Sequence, residues 1–357
     1  TITYTQGSLT INPAPLGISL SATYNGGTLF TASSAISTTG TVTTGGTLKV
    51  TGLQGGDTLG TVTINDANVS AATKVTNISG SAGGTGAVNI WNGTSGNYVI
   101  NSSASAGSAG TSANSVWSGT NSANTNTTGT NSATLTPATL AIAGVNNTVT
   151  YNGAAQTNSG ATQSVNGATA TSISGSTVTT GLGSDSFTLS GYASQTNASA
   201  TATADVLSLA VAGSTVAANY TITYTQGSLT INPAPLGIAL NARYNGTTTF
   251  SFTDNAGTSQ NVSNLASSTS YYTKGSGSTP VSGATISIAG LVGSDTLSGV
   301  TLNSAVVSST SYINAIAGSS GSTLWNGTSG NYILNSSFNA PGTFIAGTTS
   351  GASPSFT

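Results

Sequence analysis

The sequence contains no cysteine, histidine, methionine or glutamate, and only 3% of its 357 residues are charged. An average soluble domain has about 25% charged residues. Without cysteine there is neither a disulfide nor a thiolate metal site. Without histidine, cysteine and glutamate there is no Ser-His-Asp triad, no cysteine nucleophile and little means of general acid–base catalysis. The composition therefore predicts that the protein is not an enzyme and has no cofactor.

Positive charge is also scarce, because four Lys and Arg residues stand against six Asp, for a net charge of −2. Such a chain has no basic surface for a phosphate backbone, so we expect no nucleic-acid partner. No segment reaches the 18 consecutive apolar residues typical of a transmembrane helix, so we expect no membrane insertion.

Hydrophobic residues make up 36% of the chain, which is enough to bury real cores. Threonine and valine favour strands, whereas glycine, asparagine and serine favour turns. Good helix formers are few, and no window shows apolar residues at helical spacing opposite a charged face. The sequence therefore predicts an all-β fold with essentially no helix.

Internal repeats are the strongest signal in the sequence. The segment TITYTQGSLTINPAPLGI at 1–18 recurs unchanged at 221–238, and WNGTSGNY at 91–98 recurs at 325–332. A finer plan occurs three times, namely a Tyr-Asn-Gly turn, then a Gly/Leu/Asp turn, then an Asn-Tyr pair. The Asp turns are GLQGGDTL at 52–59, GLGSDSFTL at 181–189 and GLVGSDTL at 290–297, and the Asn-Tyr pairs begin at Asn97, Asn219 and Asn331.

The ends of the repeats predict where domains meet. Residues 219–234 alternate apolar and polar residues on both sides of Gln226-Gly227, which predicts a closing β-hairpin. The following Ala234-Pro235 step is not expected to continue a ladder and predicts a short, stiff linker. We predict a rod of tandem β-sandwich-like or β-grasp-like domains joined by short Pro linkers. The predicted segments are 1–14 (closing hairpin of an upstream unit), 15–138, 139–234 and 235–357, the last C-terminally incomplete.

The run NYTITYTQGSLTINPA resembles the closing hairpin of the glycine-rich MBG repeat domain of bacterial haemagglutinin-like filamentous adhesins. The flanking units, with YNG near the start and GLVGSDTL in the middle, resemble the companion YDG repeat of those proteins. The resemblance makes 15–138 and 235–357 YDG-like and 139–234 MBG-like. Asn25, Asn152 and Asn245 stand where the companion repeat has Asp.

This resemblance implies a function and a location. It implies secretion from a Gram-negative bacterium to the cell surface and a role in attachment, biofilm or fibre building, without catalysis. The expected partners are other copies of the chain, associating laterally or end to end, with strand donation through residues 1–14 as one route. Host or matrix glycans are further candidate partners.

Asp57, Asp185 and Asp295, one in each Gly-rich turn, are the sharpest polar features. An Asp in such a turn usually accepts hydrogen bonds from backbone N–H groups two residues on, so the pattern favours Asx turns. Calcium binding is the weaker alternative, since calcium takes six to eight oxygens and each loop supplies one carboxylate.

Tyr24, Tyr151 and Tyr244 each precede Asn-Gly. The favoured interpretation is that each tyrosine packs on a core while Asn-Gly forms a type I′ turn. The alternative is an aromatic platform for sugars, which makes a glycan-binding module the competing function. A polysaccharide-degrading parallel β-helix is less consistent with the sequence, because it has coils of about 20 to 30 residues, much shorter than these repeats.

Overall fold

A computed structural model of the chain describes residues 3–4, 6–7, 14–81, 97–100, 131–241, 246–253, 260, 263, 270–274, 280–307, 313–318 and 330–334. Within these ranges the regular structure is β-strand apart from 3₁₀ geometry at Ala217–Asn219 and Val307. The all-β prediction is confirmed. The predicted hairpin of an upstream unit at 1–14 lies almost entirely outside the described residues.

The first sequence repeat contains eight strands in its described part: β1 (Ala14–Thr23), β2 (Leu29–Ile36), β3 (Thr39–Thr41), β4 (Gly46–Thr51), β5 (Thr58–Ile64), β6 (Val75–Ser81), β7 (Tyr98–Ile100) and β8 (Asn131–Thr136). Strands β3, β4, β1 and β7 form one sheet in that order, in which β8 also pairs with β1. Strands β2, β5 and β6 form a second sheet. Alternating burial, as in β4, places one face of a sheet on the core.

The middle repeat is built from shorter strands: β9 (Ala138–Gly144), β10 (Asn146–Thr150), β11 (Gln156–Thr157), β12 (Ala161–Val165), β13 (Thr171–Ser172), β14 (Thr177–Thr179), β15 (Ser186–Ser190), β16 (Ser194–Gln195), β17 (Thr203–Ala204), β18 (Ser208–Ala212), β19 (Tyr220–Thr225) and β20 (Ser228–Asn232). Their sheets have the orders β13-β12-β9-β19, β10-β20-β17, β14-β15-β18 and β11-β16.

The described part of the third repeat contains β21 (Ala234–Pro235), β22 (Gly237–Asn241), β23 (Thr249–Thr253), β24 (Ser270–Lys274), β25 (Pro280–Ala289), β26 (Leu297–Leu302), β27 (Ile313–Gly318) and β28 (Tyr332–Ile333). Six of these strands form an antiparallel sheet in the order β22-β25-β24-β23-β26-β27. The remaining two, β21 and β28, pair in parallel.

Contact clustering divides the chain into two compact units that do not follow the repeats. The first comprises Thr1–Ile142, Gln163–Leu189 and Leu209–Thr223, and the second comprises Ala143–Thr162, Ser190–Ser208 and Tyr224–Thr357. The middle repeat is therefore shared between the units. A buried cluster that includes Phe250, Phe252 and Leu297 forms a core of the second unit.

In the first two repeats, the strand that precedes the Tyr-Asn-Gly turn runs parallel to the closing strand of the same repeat. Ile18 of β1 faces Asn131 of β8 in the first repeat, and Asn146 of β10 faces Ser228 of β20 in the middle one. The carbonyls of Thr136 and Asn232, each followed by proline, accept hydrogen bonds from the N–H groups of Tyr24 and Tyr151. Each Tyr-Asn-Gly turn is thereby fixed beside the residue from which the chain enters the next repeat.

The predicted closing hairpin at 219–234 is wrong. Its two strands belong to different sheets, because β19 lies next to β9 and β20 lies between β10 and β17. The change of sheet occurs at Gly227, where an added Cβ would lie 2.5 Å from the carbonyl oxygen of Val145. Only glycine permits the backbone to approach so closely there.

Proline also behaves differently from the prediction. Pro235 lies inside strand β21, opposite Ile333 in a parallel pair. The ladder uses the N–H groups of the flanking residues, Ala234 to Asn331 and Leu236 to Ile333, so the missing N–H of proline is not needed.

Candidate functional site

Asp185 joins the first repeat to the middle one through two tyrosines. The hydroxyl of Tyr24, from the first repeat, donates to Asp185 Oδ2 at 2.6 Å, and the hydroxyl of Tyr220 donates to the same oxygen at 2.8 Å. All three residues belong to the first compact unit, and Tyr24 and Asp185 are 161 positions apart. We call this arrangement a Tyr–Asp–Tyr junction.

The same junction recurs one repeat later, within the second compact unit. Tyr151 of the middle repeat donates to Asp295 Oδ2 at 2.8 Å, and Tyr332 of the third repeat donates to it at 2.7 Å. In both junctions one tyrosine comes from the Tyr-Asn-Gly turn of one repeat and the other from the Asn-Tyr pair of the following repeat. The three motifs of the repeat thus meet at one carboxylate.

Ring packing and burial accompany these hydrogen bonds. The rings of Tyr24 and Tyr220, and those of Tyr151 and Tyr332, meet edge to face with centroids 5.5 Å apart. Burial, reinforced by the adjacent Asp185 carboxylate, raises the pKa of Tyr24 to about 12. Burial is also the main cause of the raised pKa of Tyr220 and Tyr332. The hydroxyls therefore stay protonated and keep donating across the ordinary pH range.

A tight turn presents each aspartate. The N–H of Asp185 donates to the carbonyl of Leu182, and that of Asp295 donates to Val292. The turn needs a left-handed glycine, which is Gly183 at φ 58° or Gly293 at φ 60°. In the third repeat the Tyr332 hydroxyl also accepts the Val292 N–H at 2.9 Å, which holds the ring and the turn together.

The asparagine of the Asn-Tyr pair provides a second attachment to the preceding repeat. Asn219 accepts from the Val69 N–H at 2.9 Å and donates to Asn68 Oδ1 at 3.0 Å. Asn331 repeats both bonds with Ala198 and Asn197, at 2.8 and 3.0 Å. Asn219 and Asn331 are each 1% exposed, so these bonds are shielded from water.

Glycines close the junction by backbone contact. A Cβ added to Gly26, at φ 82°, would lie 2.2 Å from the nitrogen of Gly183. The corresponding contact of Gly153, at φ 79°, is with Gly293 and would begin at 3.5 Å. The glycine of Tyr-Asn-Gly therefore packs against the glycine of the aspartate turn in the following repeat.

We expect an alanine series at these turns to separate backbone strain from crowding. Gly26, Gly153 and Gly246 have nearly equal φ values of 82°, 79° and 80°, so alanine costs each about 1 kcal/mol of strain. Gly26→Ala additionally forces a Cβ against backbone atoms, so its free energy of unfolding is expected to fall by about 3 kcal/mol in total. Urea denaturation of the three variants measures the free energy of unfolding of each.

Gly246→Ala is the control, because nothing lies within 4 Å of its added Cβ. Equal losses of unfolding free energy in Gly26→Ala and Gly246→Ala would contradict the close contact at the first junction.

The first repeat has the same aspartate turn. The Tyr98 hydroxyl donates to Asp57 Oδ2 at 2.7 Å and accepts from the Gln54 N–H at 2.8 Å. The Asp57 N–H donates to the Gln54 carbonyl, and Gly55 has φ 63°. Burial and the Asp57 hydrogen bond raise the pKa of Tyr98. The hydrogen bond between the aspartate turn and the tyrosine of the Asn-Tyr pair is therefore present in this repeat too.

The Asx-turn prediction is wrong for Asp185, whose carboxylate accepts from tyrosine hydroxyls instead. Asx turns occur in the first two Tyr-Asn-Gly motifs, where Asn25 accepts from the Gly27 N–H and Asn152 from the Ala154 N–H. Neither asparagine has positive φ, so the type I′ turns predicted at these two positions are wrong, and the third, at Asn245, lies outside the described residues. Asn166, at φ 50°, is the described asparagine that satisfies that geometry together with the next glycine.

The glycan-platform prediction finds no support at Tyr24 or Tyr151. These side chains are 5% and 4% exposed, and their rings are covered by other tyrosines, so neither offers a face to a sugar. Tyr24 and Tyr151 are both buried in a core, as the favoured interpretation predicts. Tyr244 lies outside the described residues.

The geometry of the carboxylates bears on the calcium alternative. The Oδ2 atom of Asp185 or Asp295 accepts from two tyrosine hydroxyls, so its lone pairs are directed at those protons and not at a calcium ion. The part of the chain that is described contains no group of three or more acidic or imidazole side chains able to hold a metal.

We therefore expect a chelator to leave the melting temperature unchanged. Dialysis against EDTA followed by thermal denaturation, with and without added Ca²⁺, tests this. A fall of several degrees on chelation that calcium restores would show that Asp57, Asp185 or Asp295 binds the ion.

The tyrosines of the Asn-Tyr pairs were not assigned a role from the sequence. Tyr98, Tyr220 and Tyr332 recur at a fixed place in each repeat, and that recurrence was the available signal. Neither the spacing nor the composition indicated that they share a carboxylate with a tyrosine from the repeat before.

Comparisons with known proteins gave no match to a family model, to a curated protein or to a solved structure. No helix among the described residues is long and apolar enough to cross a membrane. The junctions are therefore the feature of the chain from which a function can be inferred.

Proposed function

We propose that this chain is a structural repeat region of a secreted bacterial surface adhesin or extracellular filament that serves attachment, biofilm or fibre building. The observation that carries the proposal is the repeated Tyr–Asp–Tyr junction. The same three motifs that define the repeat are used to attach one repeat to the next. A chain whose repeated motifs join one repeat to the next is typical of a filament.

The chemistry of the junction supports a structural role. Each aspartate is held by neutral hydroxyl donors, and Asp185 and Asp295 are only 8% and 7% exposed. A catalytic carboxylate needs access to substrate, whereas these are enclosed by tyrosine rings. We therefore propose that the protein is not an enzyme and acts through the length of the filament and the multivalent display of its repeats.

The junction also suits an exposed extracellular environment. It contains no group that is easily oxidised to a disulfide or sulfoxide, because the chain lacks cysteine and methionine. Its tyrosine donors Tyr24, Tyr220 and Tyr332 keep their protons near neutral pH, since burial raises the pKa of each, that of Tyr24 to about 12. Secretion to the cell surface is part of the proposal.

Immunogold electron microscopy of intact source cells, with antibodies raised against this chain, tests the proposal. We expect label on material that extends from the cell surface, and we expect brief protease treatment of intact cells to remove it. Label confined to the cell interior would contradict an adhesin or filament role.

A further inference from the structure

Three Asn-Gly steps lie in the described part of the chain, at Asn25-Gly26, Asn152-Gly153 and Asn166-Gly167. Such a step is reactive by itself, because the side-chain amide carbon of asparagine and the main-chain nitrogen of the next residue can close a cyclic imide. Glycine favours this closure, since it has no Cβ to hinder the approach and its backbone is the most freely rotating. The surroundings of the three steps decide which one reacts.

The turn at Asn152 brings the reacting atoms together. Asn152 Oδ1 accepts a hydrogen bond from the Ala154 N–H at 3.0 Å, which folds the side-chain amide over the intervening Gly153 nitrogen. The same hydrogen bond polarises the carbonyl in the direction that favours attack on Cγ. Asn152 and Gly153 are both exposed, so water and hydroxide have access to the step.

Neither the leaving group nor the glycine of this step is held in place. In the part of the chain that is described, the Asn152 Nδ2 atom donates to no acceptor. A Cβ added to Gly153 would meet its first neighbours, in Val292 and Gly293, at 3.5 Å, which is ordinary van der Waals contact. No hydrogen bond among the described residues therefore opposes departure of Nδ2 or movement of the Gly153 nitrogen toward Cγ.

The step at Asn25 has the same turn but is restrained. Its Oδ1 accepts from the Gly27 N–H at 2.9 Å, and its Nδ2 donates to the Leu29 carbonyl at 3.0 Å. Gly26 is also pressed against the backbone of Gly183. Cyclisation here has to break the bond to Leu29 and move a tightly packed glycine.

Asn166 is exposed, but its side chain is directed elsewhere. Its Oδ1 accepts from the Thr139 N–H and its own N–H donates to the Thr139 carbonyl, both at 2.9 Å. The side-chain amide is therefore turned toward strand β9 and not over the Gly167 nitrogen. Of the three described steps, Asn152-Gly153 alone combines the favourable turn, the free amide and the open glycine.

We propose that Asn152-Gly153 is a site of spontaneous deamidation at which the second junction weakens with age. The Gly153 nitrogen gives its proton to hydroxide and forms a bond to Asn152 Cγ. The Cγ–Nδ2 bond breaks, and Nδ2 takes a proton from water and leaves as ammonia. Water then opens the cyclic imide at either carbonyl, which gives aspartate or isoaspartate at position 152. This chemistry depends on the turn and not on the proposed function.

The two products affect the junction differently. Aspartate keeps an oxygen for the Ala154 N–H and leaves the backbone unchanged. Isoaspartate adds a methylene group to the main chain between two fixed points, since the Tyr151 N–H is bonded to the Asn232 carbonyl at 2.8 Å and Gly153 contacts Gly293. Isoaspartate therefore displaces Gly153 from the aspartate turn of the following repeat.

Peptide mass spectrometry of the full chain, aged while folded in mildly alkaline buffer, measures the reaction. Digestion at acidic pH adds no deamidation, and an unaged sample gives the starting point. We expect the peptide with Asn152 to gain the mass of an amide-to-carboxyl exchange at least about tenfold faster than those with Asn25 and Asn166. Methylation by an isoaspartate-specific methyltransferase identifies isoaspartate. Conversion of Asn152 no faster than either other step would overturn the proposal.

Asn152→Ser is the matched control, because serine keeps an acceptor for the turn and cannot form the imide. We expect ageing to lower the urea midpoint of wild-type protein more than that of Asn152→Ser, since the remaining asparagines age alike in both chains. Equal losses in the two chains would overturn the weakening of the junction.

Unaged Asn152→Asp separates the added charge from the lengthened backbone. We expect its urea midpoint to match that of unaged wild type, and a midpoint as low as that of the aged protein would overturn the role of isoaspartate. A negative result in any of these experiments leaves the cell-surface test unaffected, so failure of the two proposals is distinguishable.

Discussion

Replacing Asp185 with alanine is expected to lower the free energy of unfolding by about 4 kcal/mol. The substitution removes the acceptor of two tyrosine hydroxyls and leaves them buried without it. Hydrogen bonds to a charged group contribute about 1.5–3 kcal/mol each, and a buried polar group without a partner adds its own cost. Urea denaturation followed by circular dichroism measures the loss.

Three variants serve as comparisons. Asp185→Asn keeps an oxygen acceptor without the charge and is expected to lose about half as much. Asp57→Ala is expected to lower the free energy of unfolding less than Asp185→Ala does, because Asp57 is only half-buried. Ser164→Ala, which removes the hydrogen bond of an exposed hydroxyl to the Ala168 carbonyl outside the junctions, is expected to cost about 1 kcal/mol. If Asp185→Ala cost no more than Ser164→Ala, the junction would not be a major source of stability.

Raising the pH above 10 is expected to unfold the protein steeply. Unfolded tyrosines lose their protons near pH 10, whereas folded Tyr24 keeps its proton up to about pH 12. Deprotonation therefore favours the unfolded chain. The stability from this shift is fully present below pH 10 and is lost as the pH rises to about 12. For Tyr24 alone the two pKa values differ by about two units, which corresponds to about 3 kcal/mol.

The other junction tyrosines act in the same direction, since the pKa values of Tyr220, Tyr332 and Tyr98 are raised by burial. Between about pH 5 and 9 we expect nearly constant stability, because the chain has no histidine or cysteine to titrate there. Thermal denaturation from pH 5 to 12 measures both regions, with Tyr24→Phe as the variant that loses part of the alkaline dependence. An unchanged melting temperature between pH 8 and pH 11 would contradict buried, protonated tyrosines.

The all-β fold could be predicted because it follows from local preferences. Threonine, serine and glycine dominate the sequence, and strand formation and turns depend mainly on such residues and their neighbours. The repeated Asp turns were also recognisable, since glycine and aspartate at fixed spacing mark a turn wherever it lies in the fold. Burial alternation in strands such as β15 is a local property of the same kind.

The partners of these turns could not be predicted in the same way. Tyr24 and Asp185 lie 161 positions apart, and no local preference specifies which tyrosine reaches which carboxylate. The closing hairpin failed for a related reason. Adjacent strands usually pair with each other, but here Gly227 allows a close backbone approach, and β20 pairs with β10 and β17 instead of β19.

The central claim is that the repeat motifs bind one repeat to the next. A double-mutant cycle between Tyr24→Phe and Asp185→Ala tests this claim most directly. The control cycle pairs Tyr24→Phe with Asp295→Ala, whose hydroxyl donors are Tyr151 and Tyr332. We predict a coupling energy of at least about 1.5 kcal/mol for Tyr24 and Asp185, and additivity within about 0.5 kcal/mol for the control. Additive effects of Tyr24→Phe and Asp185→Ala would contradict the claim.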